Sequence, residues 1–153
     1  MFKVNIAEKN GKTYHLELES EELIGKELHD KLNGKDISNN LEGYEFEITG
    51  ASDSAGFTAL ESVEGTSLKR VLLGYGKGMH KRPRREGKKK VSNFKPKGLR
   101  MRKTVRGKVI SPVIVQINLK ILKEGSKTLS EIFPEQNQPK EKAEKKEEKS
   151  AEA

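Results

Sequence analysis

The longest strict alternation in this chain runs through Val113, Val115, Ile117, Leu119 and Ile121, with Ile114, Gln116, Asn118 and Lys120 set between them. A period of two places successive side chains on opposite faces of a strand, so this segment predicts a strand buried on one face. The pattern recurs in Phe2, Val4 and Ile6 and in Tyr14, Leu16 and Leu18, on either side of Asn10-Gly11. Alternation flanking Asn-Gly predicts a hairpin. Tyr44, Phe46 and Ile48 alternate with Glu45 and Glu47, giving a strand with one acidic face, and residues 68–73 read as a further strand.

Residues 20–33 predict the one substantial helix: Ser20 as cap, Glu21 and Glu22 at its positive end, Ile24, Leu28 and Leu32 on one face, and Gly34 as the stop. Gly50-Ala51-Ser52-Asp53-Ser54-Ala55-Gly56 predicts a loop of small residues in which the two glycines can take positive φ and Asp53 can bond back to the backbone. A short helical turn around Leu129, Ile132 and Phe133 closes the folded part, and Pro134 ends it. Apolar residues make up 32% of the 153 positions and charged residues 35%, which is lean for a chain ordered throughout. The expected architecture is mainly β (β-rich α+β): a small barrel or half-open barrel of short strands over residues 1–133, with one substantial helix and a long basic loop at 69–108. Residues 134–153, rich in Lys and Glu, are expected to form a disordered tail.

Charge is sharply divided along the chain. Residues 1–68 hold 6 basic and 14 acidic side chains, residues 69–108 hold 17 and 1, and residues 109–153 hold 8 and 8. All seven arginines, Arg70, Arg82, Arg84, Arg85, Arg100, Arg102 and Arg106, lie in the middle stretch. Lysine alone would serve solubility. Arginine adds a planar fork that grips phosphate in bidentate fashion and stacks on bases, so its confinement there points to a polyanion. The plainer alternative is a solvated run of like charge. The residues expected to bind RNA are Arg70, Lys77, His80, Lys81, Arg82, Arg84, Arg85, Lys88, Lys89, Lys90, Arg100, Arg102, Lys103 and Arg106. Tyr75 and Phe94 are the aromatic residues within this stretch, each readable as a base-stacking group or as rim packing.

Catalytic and cofactor signals are weak. Gly74-Tyr75-Gly76-Lys77-Gly78 follows a strand, but Lys77 is not followed by Ser or Thr at a helix start, as a Walker loop requires. Cysteine is absent, which removes disulfides, thiol catalysis and cysteine-ligated metal. His15, His29 and His80 are scattered, so no metal site and no cofactor are expected; His15 and His29 read as surface residues. No apolar run is long enough to span a bilayer, and the N-terminus has no signal-peptide pattern. No helix-turn-helix, zinc-finger or RRM pattern offers a means of reading duplex sequence, so structured RNA bound by shape and phosphate is the better fit. An RNA-processing or RNA-modifying enzyme with a basic channel, and a DNA-compacting protein, are the alternatives.

Ile48-Thr49-Gly50-Ala51-Ser52-Asp53-Ser54-Ala55-Gly56-Phe57, Arg82-Pro83-Arg84-Arg85-Glu86-Gly87 and Arg102-Lys103-Thr104-Val105-Arg106-Gly107 resemble motifs of the S-six-e family of archaeal and eukaryotic small-subunit ribosomal proteins. The resemblance covers about residues 1–133 and is to an archaeal form, without the long phosphorylated C-terminal helix. It differs at Ala51, where the family usually has glycine, and at Thr58-Ala59, where it usually has Pro-Met. The resemblance implies a β-barrel with no catalytic role, which binds small-subunit rRNA beside neighbouring ribosomal proteins in the cytoplasm. It implies no membrane and no small-molecule substrate.

Overall fold

Alternation becomes pairing first at the N-terminus, where β1 (Phe2–Ala7) and β2 (Thr13–Leu18) run antiparallel from Phe2 opposite Leu18 to Ala7 opposite Thr13. Gly11, at φ 89°, closes the turn between them, with its N–H donating to Glu8 O at 3.1 Å and Glu8 N–H donating to Lys12 O at 2.9 Å. These elements belong to a computed structural model that describes residues 1–19, 22–80 and 97–137. Its further strands are β3 (Lys31–Asn33), β4 (Glu45–Asp53), β5 (Leu68–Leu73), β6 (Met101–Arg106) and β7 (Ile114–Lys123). The α-helix among the described residues is α1 (Leu129–Ile132), joined by 3-10 turns at Gly34–Asp36 and Asn39–Leu41.

One sheet has the order β2-β1-β7-β4-β3, with β1 and β7 parallel and the other neighbours antiparallel; β5 and β6 form a separate two-stranded sheet. The main core lies on one face of the larger sheet, where Phe2, Val4, Ile6, Tyr14, Phe46, Ile48, Ile117, Leu119 and Ile121 are buried together. The opposite face is polar. There Asn5 donates to Asn118 Oδ1 at 3.0 Å, and His15 Nδ1 lies 2.6 Å from Asn5 Oδ1.

The alternation in β7 breaks near its start. Ser52 faces Gln116 while Asp53 faces Ile114, so Val115 is an extra residue in the ladder and the side-chain phase inverts there. Ile114 is consequently buried and Val113 is 49% exposed, the reverse of the simple pattern. β4 carries a similar irregularity between Ile48 and Gly50, and it continues as strand through Gly50-Ala51-Ser52-Asp53, where a loop was expected.

The expected helix at 20–33 does not form over its described part. Gly25 at φ 87° and His29 at φ 74° leave the helical region, and the backbone is committed to distant partners. Gly25 N–H donates to Ile110 O at 2.9 Å, Leu28 N–H to Lys108 O at 3.1 Å and His29 N–H to Ile48 O at 2.8 Å. Leu23 is buried while Ile24 is exposed, so the buried positions are not a helical stripe. The expected cap, Ser20, and Glu21 lie outside the described residues. Tertiary pairing has outweighed local propensity.

The expected barrel is also not closed. β3 is three residues long and ends in a 3-10 turn. The free edge of β2 is taken by side chains: Gln136 accepts from His15 N–H at 2.7 Å and donates to His15 O at 2.8 Å, and Asn137 donates to Thr13 O at 2.8 Å. With its ends covered separately, the sheet stays open. These contacts tie Gln136 and Asn137, beyond Pro134, to β2, where the tail was expected to be disordered. The rest of the predicted tail, residues 138–153, lies outside the described residues.

Ile117 is fully buried in the main core. Ile117→Ala should cost about 2–5 kcal/mol in denaturant unfolding, and Ile117→Asp should give no folded protein because it buries an unpaired charge. Val113→Asp, on the exposed side of the bulge, should stay within about 0.5 kcal/mol of the parent chain.

Candidate nucleic-acid interface

The acidic first part of the chain meets the basic part at Asp53, the last residue of β4. The chain turns here. Gly56, at φ 82°, donates its N–H to Asp53 O at 3.0 Å, and the Phe57 N–H donates to Asp53 Oδ1 at 2.8 Å. Asp53 Oδ2 accepts from Arg106 Nε at 2.9 Å, with the carboxylate 1% and the guanidinium 13% exposed. Arg106 also donates through Nη1 to Thr66 O at 3.2 Å. Burial works against ionisation of Asp53, but the Phe57 N–H, the Arg106 guanidinium and the Ala55 N–H outweigh it and hold the carboxyl below the usual carboxylate range.

The backbone reinforces this seam. Ala59 N–H donates to Ala51 O at 2.8 Å, Arg106 N–H to Thr58 O at 3.0 Å and Leu60 N–H to Arg106 O at 3.0 Å, so residues 58–60 splice β4 to β6. Gly107 follows directly. A Cβ there would lie 1.8 Å from Gly65 O, so the close approach of the two backbones requires glycine. Behind the β5–β6 hairpin, Leu60, Val63 and Val105 form a small apolar cluster against which Val71 and Leu73 pack.

The other face of the hairpin carries charge. Arg70 is opposite Thr104 and Leu72 is opposite Arg102 in the ladder, and directly opposed residues share a face. Between this face and the Asp53 turn lies an open cleft of about 560 Å³, lined by Gly56, Phe57, Thr58, Arg70, Gly78, His80, Arg102, Lys103 and Thr104. Arg70 and Arg102 are exposed, and the His80 ring lies edge-on to Tyr75 at 6.0 Å.

Of the residues expected to meet RNA, Arg70, His80, Arg102 and Lys103 therefore gather at one cleft. Lys77 is exposed nearby and donates to Thr49 O at 2.9 Å; Arg100 is exposed just before β6. The Arg106 guanidinium is engaged by protein partners, Asp53 and Thr66. Lys81, Arg82, Arg84, Arg85, Lys88, Lys89, Lys90 and the aromatic Phe94 lie outside the described residues. Phe57 lines the cleft but was missed, because it stands in the Asp53 turn, far along the chain from the basic stretch. Its presence in the quoted Ile48 to Phe57 motif was the available signal. His15 and His29 are exposed, as expected. Among the described residues no group of His, Asp and Glu could hold a metal ion, and no helix is long and apolar enough to cross a membrane.

The profile of the family described as Ribosomal protein S6e matches residues 2–97 and 91–134. The chain belongs to this family. It is 41% identical over 129 residues to the small ribosomal subunit protein eS6 of Methanococcus maripaludis, covering 84% of this chain and 92% of that one. To the protein of the same name from Archaeoglobus fulgidus it is 38% identical over 141 residues, covering 90% and 98%. To that from Methanosphaera stadtmanae it is 39% identical over 140 residues, covering 88% and 94%. S6e proteins are structural ribosomal proteins rather than enzymes.

Removing one partner of a buried pair leaves the other uncompensated, so Asp53→Ala should destabilise the S6e fold by about 3–5 kcal/mol. The pH dependence has a definite sign. Because the folded carboxyl titrates below the unfolded value of about 3.9, its contribution is complete above that pH and is lost as pH falls through the folded pKa. Denaturant midpoints measured from about pH 5 downward should show Asp53→Asn with a shallower acid decline than the parent chain.

Proposed function

We propose that this S6e protein is a structural constituent of the small ribosomal subunit that holds rRNA through its basic segment, residues 69–108. The reading is carried by the cleft in which Arg70, His80, Arg102 and Lys103 converge, set in a segment with 17 basic side chains and 1 acidic one. The relatives' name, small ribosomal subunit protein eS6, supports the small ribosomal subunit as the setting; rRNA and neighbouring ribosomal proteins would be the partners there, in the cytoplasm.

The division of labour follows from charge. The larger sheet is built mostly from the acidic part of the chain and supplies burial, while the hairpin fixed to its edge presents guanidinium groups in known relative positions. Phosphates of folded RNA would meet these groups without ordering them first, and the Lys and Arg side chains of 81–90 would add further neutralisation.

If about 6 to 10 cations each meet a phosphate, affinity for rRNA fragments should fall by roughly 10³ to 10⁵ between 50 and 200 mM salt, taking duplex DNA as a guide. Filter binding or anisotropy at several salt concentrations measures this, and a flat response contradicts the proposal. Replacing Arg82, Arg84 and Arg85 together with Ala should weaken binding and leave the unfolding midpoint unchanged. Competition with duplex DNA of equal length should favour the RNA.

A further inference from the structure

Phe57 occupies an unusual position for a large aromatic residue. Its ring is only partly buried and belongs to neither apolar cluster of the described residues. Its backbone is fixed, since its N–H donates to Asp53 Oδ1 at 2.8 Å and its C=O accepts from Asp53 N–H at 3.1 Å. Phe57 thus lines, from a hydrogen-bonded turn, the cleft that also holds Arg70, His80, Arg102 and Lys103. Burying an aromatic ring fully in one of the cores would stabilise the fold more than leaving it partly exposed at an open cleft beside cations.

We infer that the cleft receives one unpaired nucleotide, its base stacked on Phe57 and its phosphate held by Arg70 and Arg102. This rests on the rRNA-binding reading and refines it from phosphate neutralisation at large to recognition of a single-stranded element. The chemistry of the lining matches the parts of a nucleotide. An aromatic face accepts any base, because every base has a π-face. The guanidinium groups of Arg70 and Arg102 suit phosphate oxygens, and the hydroxyls of Thr58 and Thr104 are donor and acceptor groups suited to a ribose. A volume of about 560 Å³ falls within the range of ordinary small-ligand sites. A paired base in an A-form helix keeps both faces stacked on its neighbours, so a duplex would leave Phe57 unused.

The test uses the full chain and two probes, a single-stranded oligouridylate of about ten nucleotides and an RNA duplex of the same length. The variants are Phe57→Ala, Phe57→Leu and Phe57→Tyr. Phe57→Ala should weaken binding to the single strand by about tenfold, leave duplex binding within about twofold and leave the salt slope unchanged. Phe57→Leu keeps apolar bulk without a π-face and should lose affinity for the single strand alone, so the test stands even if Phe57→Ala is poorly folded. Phe57→Tyr should bind as the parent chain does. Restoration by Leu, equal losses on both probes, or no loss on the single strand would each overturn the inference while leaving the rRNA-binding reading in place. A parent chain that binds neither probe at low salt would overturn both.

Discussion

A carboxylate buried at the end of a strand must be paired or protonated, and Asp53 is paired, by one guanidinium and by backbone N–H groups of its own turn. That arrangement fixes two things together. It sets the turn that presents Phe57, and it anchors Arg106 at the end of β6, hence the register of the β5–β6 hairpin against the larger sheet. Arg106 lies in the only stretch of the chain that contains arginine, yet its guanidinium is engaged by Asp53 and Thr66 and holds the seam. Asp53 and Arg106 tie the turn on one side of the cleft to the end of β6 on the other.

This seam explains how a chain so divided in charge can fold as one unit. The larger sheet has its own core of aliphatic and aromatic residues, and the hairpin has only a small cluster behind it. A two-stranded sheet is marginal in water by itself. Splicing through residues 58–60, the close approach at Gly107 and the buried ion pair together attach the hairpin to a stable base. Its outer face is then left for cations, whose mutual repulsion would otherwise oppose compaction.

Much of the sheet was legible in the sequence because burial on one face imposes a period of two: β1, β2, the first half of β4 and most of β7 follow directly from it, while β5 was read as a strand without such alternation. What was not legible depended on distant partners. Residues 22–33 carry helical spacing, but their backbone groups bond to Ile48, Lys108 and Ile110, which no local pattern announces. The inversion at Val115 arises from the register against β4, and the covering of β2 depends on Gln136 and Asn137, residues that read as the start of a tail. At the candidate site, the cationic members were visible as a run of charge. Phe57 and Asp53 were not assigned to it, since they reach the cleft through the fold rather than through sequence proximity.

The claim that the Asp53–Arg106 pair builds the interface is tested most directly by measuring RNA affinity and its salt slope for Asp53→Asn at a temperature where circular dichroism shows the variant folded. The substitution removes a negative charge, so long-range electrostatics alone would tighten binding to a polyanion. The account predicts weaker binding with a shallower salt slope, because a loosened hairpin no longer presents its cations together. Unchanged or tighter binding by the folded variant would contradict it.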